Sequence, residues 1–206
     1  MHYTMTTGDR LRLAVALGAV AWLAAACGGG PLGNPPLVSN PTGTSGQSLS
    51  FAYFQRCVNP IFLKQLQITL NGVVTTNTCA GAGCHNNSTG TGGAFRVIPT
   101  AAVVDVTNAA NTAATIRTTD MYKNFYSAQG EVVLSSPTES RLLNKPLLRN
   151  VLHGGGLVFA SDQDPDVKLI EYWITHPVPA GQDEFSTASN TLFTPADPMQ
   201  GQCNSN

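Results

Sequence analysis

The chain has 206 residues, of which 42% are hydrophobic and only 11% are charged, and its formal net charge is -1. That length suits one modest domain with appendages, and the hydrophobic share is enough for a core. No basic cluster occurs, so nothing recommends a nucleic acid as partner.

Arg10 and Arg12 precede an uninterrupted apolar run over residues 13–26. The run is too short for a comfortable membrane-spanning helix and has the length of a signal-peptide core. It ends in Leu23-Ala24-Ala25-Ala26-Cys27, which resembles a bacterial lipobox with Ala24 where Leu is commonest. The resemblance implies a lipoprotein signal peptide over residues 1–26 and a lipidated Cys27 at the new N-terminus. An ordinary signal peptide followed by a stray cysteine is the competing reading. Acyl chains combined on one residue anchor far more firmly than a single chain. Residues 27–50 are Gly, Pro, Ser, Thr and Asn with little apolar content, a composition that predicts a flexible tether. The folded domain is therefore expected over residues 51–206, with its core at 51–177 and an irregular tail at 178–206.

Phe51, Phe54, Val58, Ile61, Phe62 and Leu66 stand at helical spacing, with Pro60 set to break or kink the run. Residues 100–130 are Ala-rich and helix-compatible in parts, with Gly130 as a stop. Ser136 or Thr138, Pro137 and Glu139 open another helix, and Pro146 ends it. Asp164, Pro165 and Asp166 form a third helix start, before Pro177 stops that helix. Almost no alternating strand pattern is evident. The expected fold class is mainly α: short helices with long loops. Such a chain usually needs a staple or a cofactor.

The most informative stretch is Cys79-Ala80-Gly81-Ala82-Gly83-Cys84-His85. Two cysteines closed by a histidine form the pattern that attaches haem, the thiols making thioethers and the histidine binding iron. The usual bridge has two residues. This one has four, all Ala or Gly, and glycine permits the backbone angles a longer loop needs. A Cys79–Cys84 disulfide is a competing reading, although it leaves His85 unexplained. Zinc is weaker, because no second ligand cluster follows.

Further along, His153 sits in a loop with Gly154, Gly155 and Gly156, which would let backbone pass close to a haem face. It is the first candidate for a distal iron ligand, against a plain surface histidine. Met121 is the second candidate or a core residue. His176 lies at a helix end, where a cation suits the dipole, and Met199 lies in the polar tail. Cys57 and Cys203 remain, and in an oxidising compartment they are expected to pair, the alternative being two unpaired cysteines.

The motifs NPIFLKQ, CAGAGCH, SRLLNKPLL, HGGG and FASDQDPDVKLIEYWI, in that order, resemble a class of bacterial envelope cytochrome c domains over residues 51–177. The resemblance implies a small cytochrome c-like helical domain around one covalently bound haem c. It assigns thioethers to Cys79 and Cys84, proximal iron ligation to His85, and points to His153 as distal ligand. The implied function is electron transfer in the bacterial cell envelope, as a carrier rather than a catalyst. Its partners would be redox proteins of the envelope and, through the N-terminal lipid, a membrane. Gly28 stands where Asp signals inner-membrane retention in the lipoproteins it resembles, which leans towards the outer membrane. Two alternatives stay open: a non-redox lipoprotein module with a structural Cys79–Cys84 disulfide, and a haem enzyme or ligand sensor with an open sixth site.

Overall fold

A computed structural model describes residues 47–206. The expected signal peptide, Cys27 and most of the tether lie outside the described residues. The last tether residues belong to the folded unit: Leu49 and Ser50 are fully buried.

The Ser50 hydroxyl accepts the Tyr53 N–H at 3.1 Å and caps α1, Phe51–Tyr53. A π-turn over Phe54–Val58 leads straight into α2, Asn59–Leu63. Pro60 was expected to interrupt this stretch, and the structure absorbs it instead. The Asn59 N–H reaches back to the Phe54 carbonyl, and this widened turn precedes a proline that has no N–H to offer.

The mainly helical expectation is corrected here. Among the described residues, six α-helices accompany two small antiparallel sheets, which makes the protein a small α/β fold. The first sheet pairs β1, Leu66–Leu70, with β2, Val73–Asn77, from Leu66↔Asn77 to Leu70↔Val73. Leu66 and Ile68 are buried while Gln67 between them is exposed, the period of a half-buried strand. Asn71 and Gly72 make the connection with φ of 51° and 79°. A two-residue hairpin turn demands positive φ at both positions, and Asn-Gly supplies it most readily. β2 carried no alternating signal because none of its face is buried, so its β-branched residues alone marked it. The second sheet joins β3, Phe193–Thr194, to β4, Gln202–Cys203.

Between the sheets, Thr112 caps α3, Ala113–Ile116, and Thr119 caps α4, Asp120–Gln129. Pro137–Glu139 forms a 3-10 turn and α5 covers only Arg141–Asn144. Ser140 separates them, and its buried hydroxyl is committed to the backbone of Val133 and Ser136. The final helix, α6, runs Pro165–Thr175 from an Asp164 cap. No helix among the described residues is long and apolar enough to cross a membrane.

The core gathers on Trp173, whose indole N–H donates to the Ser50 carbonyl at 3.0 Å. Phe54 lies 5.3 Å from it and Phe125 packs edge-on against Phe54 at 5.5 Å, spacings typical of stabilising aromatic pairs. The C-terminal tail, expected to be irregular, is part of this packing. Val178 and Phe193 are buried, and Val178 N–H donates to Ser48 at 2.8 Å. Glu184 is buried and receives Arg117 at 2.9 and 3.2 Å and the Tyr122 hydroxyl at 2.8 Å. Cys57 and Cys203 are joined by a disulfide across a separation of 146 residues, the pairing expected from the cysteine count.

Candidate functional site

The loop after β2 is fastened to the core between its two cysteines. Ala80 N–H donates to the Phe62 carbonyl of α2 at 2.9 Å, and Ala80 itself is buried. The bridge then folds on itself: Cys84 N–H bonds to Gly81 at 3.0 Å and His85 N–H to Cys79 at 2.9 Å. Gly83 takes φ of 79°, and Gly81 lies so close to the Asn77 side chain that a Cβ would collide with it. Small residues are what allow the longer bridge to close. Cys79 and Cys84 are both free thiols. Burial first, and then the neighbouring Cys84, push the Cys79 thiol up to about 12, so it stays protonated. The Asn77 amide lies 3.6 Å from the Cys84 sulfur.

His85 is held by a short extended segment beside it. Its carbonyl accepts Val97 N–H at 2.7 Å, and its Nδ1 lies 3.1 Å from the Phe95 carbonyl. The Phe95 ring sits 4.8 Å from the imidazole and 5.0 Å from Phe62, so the histidine is braced by the core. Gly92 borders the ring so closely that a Cβ there would fall 2.7 Å from Cε1 and Nδ1. Burial above all, with the charges of His153, Arg96 and Lys145 added and the Phe95 bond opposing, lowers the His85 pKa and keeps the ring neutral.

His153 comes from the far side of the sequence. The chain reaches it from α5 through Leu148 and Asn150, both left-handed with φ of 53° and 54°. Leucine is uncommon there, and such residues gather at functional sites. A turn closes with Gly156 N–H on the His153 carbonyl at 2.9 Å, and the His153 Nδ1 lies 2.7 Å from the Gly156 carbonyl. Gly156, with φ of 86°, touches Thr69 where a Cβ would not fit. Leu157 and Thr69 then exchange hydrogen bonds of 2.8 and 2.9 Å. The unforeseen hairpin is thus the support on which the His153 loop is fixed.

The two histidines are brought together. Their ring planes are within 8° of parallel and their centroids are 6.2 Å apart. That is too far for ring contact; Tyr172 and His176 stack at 3.8 Å in the same molecule. A metal ion held between two imidazoles would set a similar spacing. A metal–nitrogen bond of about 2 Å on each side, plus a ring radius of about 1.1 Å from bonds of ~1.33 Å, gives roughly 6 Å. The chemistry of the donor set agrees. A carbonyl oxygen only accepts, so Nδ1 of each ring must be the donor, and in the neutral ring Nε2 is then left with the lone pair. Two free thiols on the loop carrying His85 complete a donor set that suits a covalently attached haem.

The other candidates fall elsewhere. Met121 is buried on α4 as part of the core. His176 stacks on Tyr172 with its Nδ1 at 2.9 Å from that residue's carbonyl. Met199 lies in the turn before β4, its N–H on Asp197. No cluster of three or more His, Cys, Asp or Glu side chains suited to a bare metal ion occurs among the described residues. Sequence reasoning missed Arg96 and Lys145, whose charges act on His85; the former follows Phe95, but nothing in the sequence links either to residue 85.

No family model, curated protein or solved structure significantly matches this chain.

Proposed function

We propose that the protein is a monohaem c-type cytochrome, anchored by lipid on Cys27 in the bacterial cell envelope, that exchanges electrons with redox proteins there. Cys79 and Cys84 would carry the thioether bonds, His85 would bind the iron from the proximal side, and His153 from the distal side. The observation that carries this is the His85–His153 pair: parallel rings at 6.2 Å, with both Nδ1 atoms committed to backbone carbonyls. Haem would supply a one-electron couple, and two imidazole ligands favour a lower potential than a histidine–methionine pair. The protein's share is to fix the tautomers, brace His85 through Phe95 and Phe62, and hold the distal loop on β1.

The competing disulfide module would need a Cys79–Cys84 bond, and both residues are free thiols while Cys57 and Cys203 are bonded. A haem enzyme with an open sixth site is disfavoured by the position of His153. Expression in a host with cytochrome c maturation tests the reading. Purified protein should show c-type pyridine haemochrome bands and a mass raised by one haem after denaturation. Colourless protein at the mass of the bare chain would end the proposal.

A further inference from the structure

The outer edge of β2 is unpaired. In the hairpin, Leu70 faces Val73, Ile68 faces Thr75 and Leu66 faces Asn77. A two-residue turn makes Leu70 and Val73 a hydrogen-bonded pair, and bonded pairs alternate with non-bonded ones along an antiparallel ladder. Ile68 and Thr75 are therefore bonded too, and the backbone N–H and C=O groups of Thr69, Val74 and Thr76 point away from the partner strand. On β1 that edge is taken, because Thr69 exchanges hydrogen bonds of 2.8 and 2.9 Å with Leu157. On β2 the outward groups of Val74 and Thr76 have no protein partner among the described residues.

Free edges are normally protected by a charge, a proline or a bulge. β2 carries none of these, since its five residues pair with β1 without interruption. No Asp, Glu, Lys or Arg occurs between Lys64 and Arg96. Val73 and Val74 are 62% and 59% exposed, so the described part of the chain does not overhang the strand. A hairpin of two strands is also marginal by itself, and further strands steady it.

The register selects the partner. Val74 and Thr76 flank Thr75 symmetrically. Two antiparallel copies of β2 related by a two-fold axis at Thr75 therefore set Val74 of each against Thr76 of the other. Both residues of each pair turn their backbone groups towards the partner, which closes two bonded pairs. The facing side chains are β-branched throughout, the kind that suits neighbouring strands. A charged strand would repel its own copy, whereas this one is neutral and the whole chain has a net charge of only -1.

We propose that β2 pairs with β2 of a second copy of this chain, forming an isologous dimer through a four-stranded sheet ordered β1-β2-β2-β1. Leu157 holds the opposite edge, so the pairing stops at two copies. The His153 loop is fixed on that far edge of β1, away from the interface. The dimer does not depend on the haem reading.

Sedimentation equilibrium of the purified full chain in density-matched detergent tests this. The mass should rise from one chain to two with concentration and stop there. T75K sets two cations face to face on the axis, and V74P removes an outward N–H at an edge position where proline is tolerated. Each should raise the dimer dissociation constant roughly tenfold or more. V73T trims exposed apolar surface without touching the outward groups, and it should leave the dimer intact. In the unaltered protein, amide exchange at Val74 and Thr76 should slow as the concentration rises. The mass of a single chain at every concentration would overturn the inference, as would growth beyond two chains. So would a dimer that survives T75K and V74P, or one that V73T alone dissociates.

Discussion

Two regions of this molecule differ in how completely they satisfy themselves. Around Trp173, Phe54 and Phe125, polar groups that enter the core find protein partners: the indole N–H has Ser50, the Glu184 carboxylate has Arg117 and Tyr122, and Cys57 has Cys203. The face carrying His85 and His153 is the reverse. It holds two free thiols and two parallel imidazoles whose Nδ1 atoms are committed to backbone carbonyls. The core closes on its own side chains, whereas the histidine face is where we propose that a cofactor binds.

That contrast predicts that core changes cost stability and leave the site chemistry to follow, while site changes do the opposite. W173A removes the largest fully buried side chain and one of the two hydrogen bonds to the Ser50 carbonyl, which keeps the Phe54 N–H; we expect a loss of about 3–5 kcal/mol in urea unfolding. A loss near zero would mean that the core does not depend on this contact. The paired variant C57S/C203S should lose about 2–5 kcal/mol, because it frees the C-terminal strand from the first helical stretch.

Glu184 gives a smaller, pH-dependent effect. Burial alone would raise its pKa, but Arg117, its own backbone N–H and Tyr122 hold it below the usual carboxylate range. A depressed carboxylate contributes stability above its unfolded value, about 4.3, and loses it as pH falls through the folded one. E184Q should therefore flatten the acid limb of the stability curve below about pH 4.3. Its cost at neutral pH should be on the order of 1 kcal/mol, since Arg117 is 44% exposed and solvent screens the pair. An unchanged acid limb would show that Glu184 is not the group titrating there.

The smallest expected stability change is at His153. H153A should move the unfolding midpoint of the haem-free chain by less than about 0.5 kcal/mol, yet open the sixth site so that the ferrous holoprotein binds carbon monoxide rapidly. If H153A instead unfolds the chain, the loop is part of the self-sufficient region and the contrast fails.

How much of this was legible in the sequence depends on where the information resides. The α6 start was readable because Asp164-Pro165-Asp166 is a local signal, and the structure uses it as such. His85 was legible as the histidine that closes the Cys79–Cys84 pair, and His153 as a separate candidate marked by its glycine-rich loop. Their parallel placement was not, because it depends on β1 holding Leu157. The hairpin itself announced its turn through Asn71-Gly72 but hid its second strand, whose faces are both exposed. The π-turn before Pro60 and the ordered tail arise from contacts between residues far apart in the chain, such as Phe51 with Glu184 and Tyr53 with Asn204.

The central claim is that His85 and His153 share one iron. Electron paramagnetic resonance of the oxidised, purified holoprotein tests it most directly. Two nearly parallel imidazole ligands predict a fully low-spin, rhombic ferric signal, unchanged in M121L and converted to high spin in H153A. A high-spin signal in the wild-type protein, or a low-spin signal that survives in H153A, would contradict it.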